Sequence, residues 1–435
     1  MAADTINPII CGEQPFSISF SPTHDKLATG LINGNVEIHS YNESSTSSSS
    51  SHPTTIQPYT NSPTPVSCRS VIYRPDGSLL YGGLSNSNKG ELCGIDTTTG
   101  AVSFHNKQAS DQGVNKVYTI ERGGGELLAS GDDGGAVKLW DSRMSSKSDC
   151  LAAYEVNQDY ISDFVSSSDG NTLLATSGDA TLSVFDVRKI SSNVNSGNAK
   201  MKTTQSRSDD QEDELLSCVI IKGGKKVICG TQEGALTIWS WGDWGDQNDR
   251  FMGHPESIDA LLKLDEGTII TGSSDGLVRV VEIQPNRLLG VLGDHDGFPV
   301  EDLQFSRDRG LIGSLSHDDI VRMWDVSILH EEEGSDEDEE EMDIDVNGIM
   351  AAGGLNESEN ENENEGSDDD WSDMDDEGEE EEEEEKGGKK KRKESIDSDD
   401  SGGDDSDDED DEGDEDYGRG RKKFKTESEK FFVDL

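Results

Sequence analysis

Residues 114–143 read VNKVYTIERGGGELLASGDDGGAVKLWDSR. The stretch contains an apolar run, a glycine turn, a second run ending in Ser-Gly, a tight Asp/Gly turn and a third run ending in Trp-Asp. Short apolar runs bounded by Gly and Asp clusters predict strands joined by hairpins. The unit recurs as YISDFVSSSDGNTLLATSGDATLSVFDVR at 160–188 and LLSCVIIKGGKKVICGTQEGALTIWSW at 215–241. SIDALLKLDEGTIITGSSDGLVRVVEI at 257–283 and VEDLQFSRDRGLIGSLSHDDIVRMWDV at 300–326 repeat it again. Two weaker copies precede these: FSISFSPTHDKLATGLINGNVEIHSY at 16–41 and CRSVIYRPDGSLLYGGLSNSNKGELCGID at 68–96.

The slot that ends the third strand holds His39, Ile95, Trp140, Phe185, Trp239, Val281 and Trp324, with gaps of 56, 45, 45, 54, 42 and 43 residues. Four of these gaps match the ~40–45 residues of one propeller blade. The two long gaps contain a Ser-rich insertion at 42–65 and a polar insertion at 191–214, which read as mobile loops between blades. Seven units predict an all-β fold, a seven-bladed WD40 β-propeller over residues 1–330. Each blade needs a fourth, outer strand, and CLAAYEV at 150–156 and RLLGVLG at 287–293 supply two of them. Little apolar sequence follows Trp324, so INPIICGE at 6–13 is the candidate to complete the last blade and close the ring. In this pattern the tryptophans pack between blades, the turn Asp and Gly residues shape hairpins, and His254 and His295 occupy buried, hydrogen-bonded positions.

The chain has 435 residues and a formal net charge of −55. Residues 331–435 hold 48 acidic and 12 basic residues, so about two thirds of the excess lies in the last quarter. Such a segment cannot bury enough apolar surface to offset its ordering entropy, which predicts a disordered acidic C-terminal tail. Ser335, Ser367, Ser372, Ser398 and Ser406 precede acidic residues, a context that acid-directed kinases favour. Basic islands interrupt the tail at Lys389, Lys390, Lys391, Arg392 and Lys393 and again at 419–425, with Arg421, Lys422 and Lys423. Both read as nuclear-import signals. Phe431 and Phe432 belong to a terminal apolar cluster that reads as a docking motif.

The sequence shows no phosphate loop, no His-Glu-x-x-His and no nucleophile elbow, and the expected function is binding rather than catalysis. The six cysteines form no Cys-x-x-Cys pair and have no His at ligand spacing beside them in sequence, so no cofactor or metal site is expected. They read as buried or half-buried free thiols of a reducing compartment. No run approaches the ~18 apolar residues of a membrane span. The acidity disfavours direct nucleic-acid binding and favours basic proteins, such as ribosomal proteins or histones. Trp241 and Trp244 lie beyond the repeat pattern; they are either a contact site or a fold-back over the propeller edge.

Two resemblances add to this reading. LLASGDDGGAVKLWDSR at 127–143 resembles the box by which substrate receptors dock on the DDB-type adaptor of cullin-4 ubiquitin ligases. That resemblance implies a key contact by Arg143, with Asp132, Trp140 and Asp141 shaping the turn and strand end. More broadly, GGKKVICGTQEGALTIW, TGSSDGLVRVVEIQPNRLLGVLG and SHDDIVRMWDV are similar to the WD-repeat protein 55 family, and the acidic tail resembles its fungal branch. This resemblance implies a nucleolar protein of ribosomal RNA production and large-subunit assembly, acting as a monomeric propeller with pre-ribosomal assembly factors as partners.

Overall fold

A computed structural model describes residues 5–41, 53–58, 65–86, 89–123, 125–141, 150–189, 206–327 and 329. Strand β1 spans Thr5–Ile10. Blade 1 follows with β2 (Pro15–Phe20), β3 (Lys26–Leu31), β4 (Val36–Ser40) and β5 (Thr54–Ile56). Blade 2 is β6 (Val66–Tyr73), β7 (Leu79–Asn86), β8 (Lys89–Asp96) and β9 (Val102–Ser110). Blade 3 is β10 (Val114–Arg122), β11 (Gly125–Asp132), β12 (Ala136–Asp141) and β13 (Ala152–Glu155). Blade 4 is β14 (Ile161–Ser166), β15 (Thr172–Ser177), β16 (Thr181–Asp186) and β17 (Ser206–Arg207). Blade 5 is β18 (Leu215–Ile221), β19 (Lys226–Thr231), β20 (Ala235–Ser240) and β21 (Asp249–Met252). Blade 6 is β22 (Ile258–Lys263), β23 (Thr268–Ser273), β24 (Leu277–Glu282) and β25 (Arg287–Asp294). Blade 7 is β26 (Val300–Phe305), β27 (Leu311–Ser316) and β28 (Ile320–Asp325), completed on its outer edge by β1.

The fold is therefore the seven-bladed propeller that the repeat predicts, and β1 closes it by pairing antiparallel with β28, Thr5 opposite Trp324 and Ile10 opposite Ile320. Pro8 falls in the register shift of this pairing, between Ile6 and Ile9, where a missing N–H is tolerated on an edge strand. The two insertions differ from expectation. Each lies inside a blade, ahead of its outer strand, and carries that strand itself: Thr54–Ile56 pairs with β4, and Ser206–Arg207 pairs with β16. A four-stranded blade needs its edge wherever the chain returns, and a strand of two or three residues leaves no periodicity to read. Residues 331–435, including both basic islands, Phe431 and Phe432, lie outside the described residues, as do most of the two insertions. No helix among the described residues is long and apolar enough to cross a membrane.

The core lies between blades. Tyr154 and Phe185 pack with Ile161, Phe164 and Leu173 where blades 3 and 4 meet, and Trp324 packs with Val280, Val300 and Leu303 where blades 6 and 7 meet. Full burial of side chains this large stabilises by about 1.5–3 kcal/mol each relative to exposure. The strands nearest the axis are tied by polar contacts from blade to blade. The Ser17 and Ser70 hydroxyls accept Val71 N–H (3.2 Å) and Val117 N–H (3.0 Å). Lys116 reaches Asp163 at 3.0 Å, and Asp163 accepts Cys218 N–H at 3.1 Å. Ser217 donates to the Ile258 carbonyl, and Asp302 accepts Ile18 N–H at 3.1 Å across the closure. Burial opposes the Lys116 charge, but Asp163 and Asp302 outweigh it and hold the ammonium above the ordinary lysine pKa.

Candidate functional site

Antiparallel blades sort their connections by face. The links between blades and the turns between second and third strands emerge on one face. The other turns emerge on the opposite face. The fourteen connections of the first face contain sixteen Asp and Glu and no Lys or Arg. Glu13, Asp111, Asp159, Glu233, Glu256 and Asp319 are exposed there. Arg69, Arg250 and Arg279 reach this face from strands, and each is paired. Arg69 bonds Asn115 (2.7 Å) and Asp133 (2.8 Å), and Arg250 meets Glu212 at 3.2 Å and Glu233 at 3.7 Å. Arg279 holds Asp275 through two hydrogen bonds, of 2.9 and 2.5 Å. On the opposite face the signs mix: Arg307 pairs with Asp25, and Lys263 with Glu266.

Carboxylates crowded at this density perturb one another. Burial raises the Asp259 carboxyl above the ordinary carboxylate range, and nearby Glu301 adds to it. His317 is raised in turn, chiefly by its hydrogen bond to Glu301 at 2.8 Å. A surface that already retains protons and borrows its own arginines to relieve repulsion favours a cationic ligand. Lysine- or arginine-rich protein segments are the chemistry it suits.

Of the residues singled out by sequence, Asp132 adjoins the β11–β12 turn of this face and His254 and His295 lie in its inter-blade links, whereas Trp140, Asp141, Trp241 and Trp244 lie away from it. Asp132 is buried and organises its turn: Oδ1 accepts Gly134 N–H (3.0 Å) and Ala136 N–H (2.8 Å), and Oδ2 accepts the Ser110 hydroxyl. Trp140 is buried and donates to Ser130 Oγ at 2.9 Å, so its indole is a strut inside blade 3 rather than a surface contact. Asp141 is half-buried opposite Leu127, and Arg143 lies outside the described residues. Trp241 and Trp244 are half-buried, stacked edge-to-face at 5.2 Å. They line an open cleft of about 200 Å³ with Thr172, Val184, Asp186, Arg188 and Ser206. Both pack against the core shared by blades 4 and 5 and keep part of their surface exposed. His254 and His295 are buried and share hydrogen bonds with Thr271 (2.8 Å) and Ser314 (2.6 Å). The acidic face has no counterpart in the sequence reading. The signal is present, but only after the connections are sorted alternately between two faces.

The WDR55 family model matches residues 6–329. The chain is 37% identical to WD repeat-containing protein 55 of Arabidopsis thaliana over 321 residues, covering 74% of this chain and 82% of that protein. It is 39% identical over 335 residues to WD repeat-containing protein JIP5 of Coprinopsis cinerea, covering 75% of each. To WD repeat-containing protein 55 of Rattus norvegicus it is 30% identical over 326 residues, covering 75% of this chain and 78% of that one. The matched span is the closed ring just described, from its completing strand to the end of blade 7, and the chain belongs to the WDR55 family of WD-repeat proteins.

Proposed function

We propose that this chain is a non-enzymatic nucleolar scaffold of ribosome biogenesis, which holds basic assembly partners of the large subunit against the acidic face of its ring. The observation that carries the reading is that face, with sixteen carboxylates and no Lys or Arg in its connections. Membership of the WDR55 family supports a binding role. A rigid ring presenting fourteen loops suits assembly, because partners can be held at fixed relative positions. The acidic tail adds a second cation-binding region, and its basic islands supply nuclear entry.

The test is affinity purification of the tagged full-length chain from nuclear extract, read by mass spectrometry, beside a variant carrying Glu13→Lys, Asp111→Lys and Glu256→Lys. Large-subunit precursors are expected with the wild type and depleted from the variant. Equal recovery by both would remove the face from the proposal. Recovery of the cullin-4 adaptor without ribosomal precursors would replace the scaffold reading with that of a ligase receptor.

A further inference from the structure

Blade 1 departs from the repeat at three positions that meet in space. In blade 7, His295 reaches Ser314 at 2.6 Å, Trp324 donates to the same hydroxyl at 2.7 Å, and Arg322 pairs across the strands with Ser314. Blade 6 repeats two of these positions with His254 on Thr271 and Arg279 opposite it. In blade 3 the cation position is Lys138, opposite Ser130. The hydroxyl of blade 1 is Thr29, and its neighbours are changed. Cys11 stands where the histidine stands, its Sγ 4.0 Å from Thr29 Oγ1. Glu37 lies opposite Thr29, where blades 3, 6 and 7 place Lys or Arg. His39 holds the tryptophan slot opposite Leu27.

We propose that Cys11, Glu37 and His39 form a site for a divalent cation of the zinc class, which clamps the closing strand of the ring to blade 1. One potential ligand atom from each residue lies within 4.8 Å of the other two, and all three residues are buried. Zinc bonds of about 2.0–2.3 Å place tetrahedral ligand atoms roughly 3.5 Å apart, so a small contraction completes the geometry. A thiolate, an imidazole and a carboxylate are the donor set of a borderline-soft ion, with a fourth position left for water.

Two further observations point to a ligand. His39 is only 7% exposed, and its Nε2 meets Glu37 Oε2 at 3.3 Å in a charge contact that falls short of hydrogen-bond geometry. A buried ring nitrogen without a hydrogen bond is costly unless something else occupies its lone pair. Glu37 is held as an outer shell would hold a ligand. Gly12 N–H donates to one oxygen at 3.0 Å and the Thr55 hydroxyl to the other at 3.3 Å. A Cβ at Gly12 would stand 2.7 Å from Glu37 Oε1, so a larger residue there would push the carboxylate from its present position. The charge of the pocket is also reversed. Where blades 3, 6 and 7 build in a cation, blade 1 provides a carboxylate, with Asp318 and Asp319 of blade 7 close enough to act on Cys11.

Cys11 directly follows β1, while Glu37 and His39 lie on β4 of the neighbouring blade. A bound ion would therefore join the two sides of the ring closure. Cation binding releases the thiol proton to solvent and leaves a thiolate–metal bond.

The full-length chain, stripped with a chelator and then freed of it, is titrated with Co²⁺ as the spectroscopic substitute for zinc. A near-ultraviolet thiolate-to-cobalt charge-transfer band that saturates at one equivalent, and that Zn²⁺ displaces, is expected. Oxygen-only binding by the acidic tail gives no such band. Cys11→Ser should abolish it. Glu37→Gln and His39→Gln should weaken the titration at least as much as the ~10–100-fold that loss of an outer-shell partner costs. Zinc should raise the melting temperature of the wild type and not of the variants. Circular dichroism of the metal-free variants reports whether they fold. If Cys11→Ser does not, the two other variants decide. Absence of the band, its persistence in Cys11→Ser, or an unchanged midpoint in both other variants would overturn the site.

Discussion

His254 and His295 are each buried on one hydroxyl, and burial lowers both pKa values to about 4, helped by Arg279 and Arg322 respectively. Each imidazole is neutral in the fold but titrates near 6.5 in the unfolded chain. A depressed histidine contributes stability that is complete above pH 6.5 and is lost as pH falls toward 4. Acidifying from pH 7 to 5 is therefore expected to cost about 2 kcal/mol per histidine, read as a falling urea midpoint. The equivalent position in blade 4 is Asn157, which bonds Thr181 (3.1 Å) and Ser183 (3.1 Å) without a titrating group. His295→Asn should accordingly fold and remove about half of that acid loss; an unchanged pH profile would refute the assignment. Another residue is strained rather than titratable. Ala180 takes the left-handed conformation at φ 62°, in a turn whose counterparts use Gly135 and Gly276. Ala180→Gly should raise stability by about 0.5–1 kcal/mol, measurable by the same denaturation. The tryptophan, turn and histidine slots were legible because they recur at fixed spacing. Cys11, Glu37 and His39 were not, because Cys11 lies 26 and 28 residues from its partners and only the β4 register and the ring closure bring them together.

At the scale of strands, the repeat specified three of the four in each blade, and the outer ones varied in legibility. CLAAYEV contains β13, RLLGVLG covers all but the last residue of β25, and both stand out as apolar runs. Thr54–Ile56 and Ser206–Arg207 are hidden in Ser- and Asn-rich surroundings, because an edge strand packs little and needs little side-chain pattern. β25 leaves Leu288, Leu289 and Val291 on the outer rim, apolar surface that its neighbours do not cover. β1 carries a different load, since it alone completes blade 7 and joins the two ends of the repeat array. Deleting residues 1–10 removes a ladder with four paired positions, a loss of roughly 2–6 kcal/mol at about 0.5–1.5 kcal/mol per hydrogen bond. It also bares the edge of β28, which invites pairing with another chain. The truncated protein should melt lower and self-associate in sedimentation. A synthetic peptide of residues 1–13 added in trans should restore both properties, and failure to do so would argue that β1 is not the closing element.

As a whole, the described ring is a disc with unlike faces, and its acidic face is one of two anionic regions in the chain. The other is the segment 331–435, with a net charge of −36. Under the proposed function both draw the same class of basic ligand, so they would compete for it or share it. A charge-dense segment attracts cations at long range, whereas a rigid face can also discriminate among them. Their contributions therefore separate kinetically. Association of a lysine-rich peptide with the full-length chain should be fast at low salt and slow steeply as ionic strength rises and the screening length falls toward ~3 Å at 1 M. Placing Lys at Glu13, Asp111 and Glu256 changes the face by six charges without removing any side chain that holds a turn or an arginine. That variant should lose about tenfold in association rate at low salt, within the 10–10³ range of electrostatic steering, and should converge on the wild type at high salt. The tail, unchanged, keeps a residual rate. If the variant matches the wild type at every salt concentration, the tail alone steers basic partners, and the face contributes only after contact or not at all.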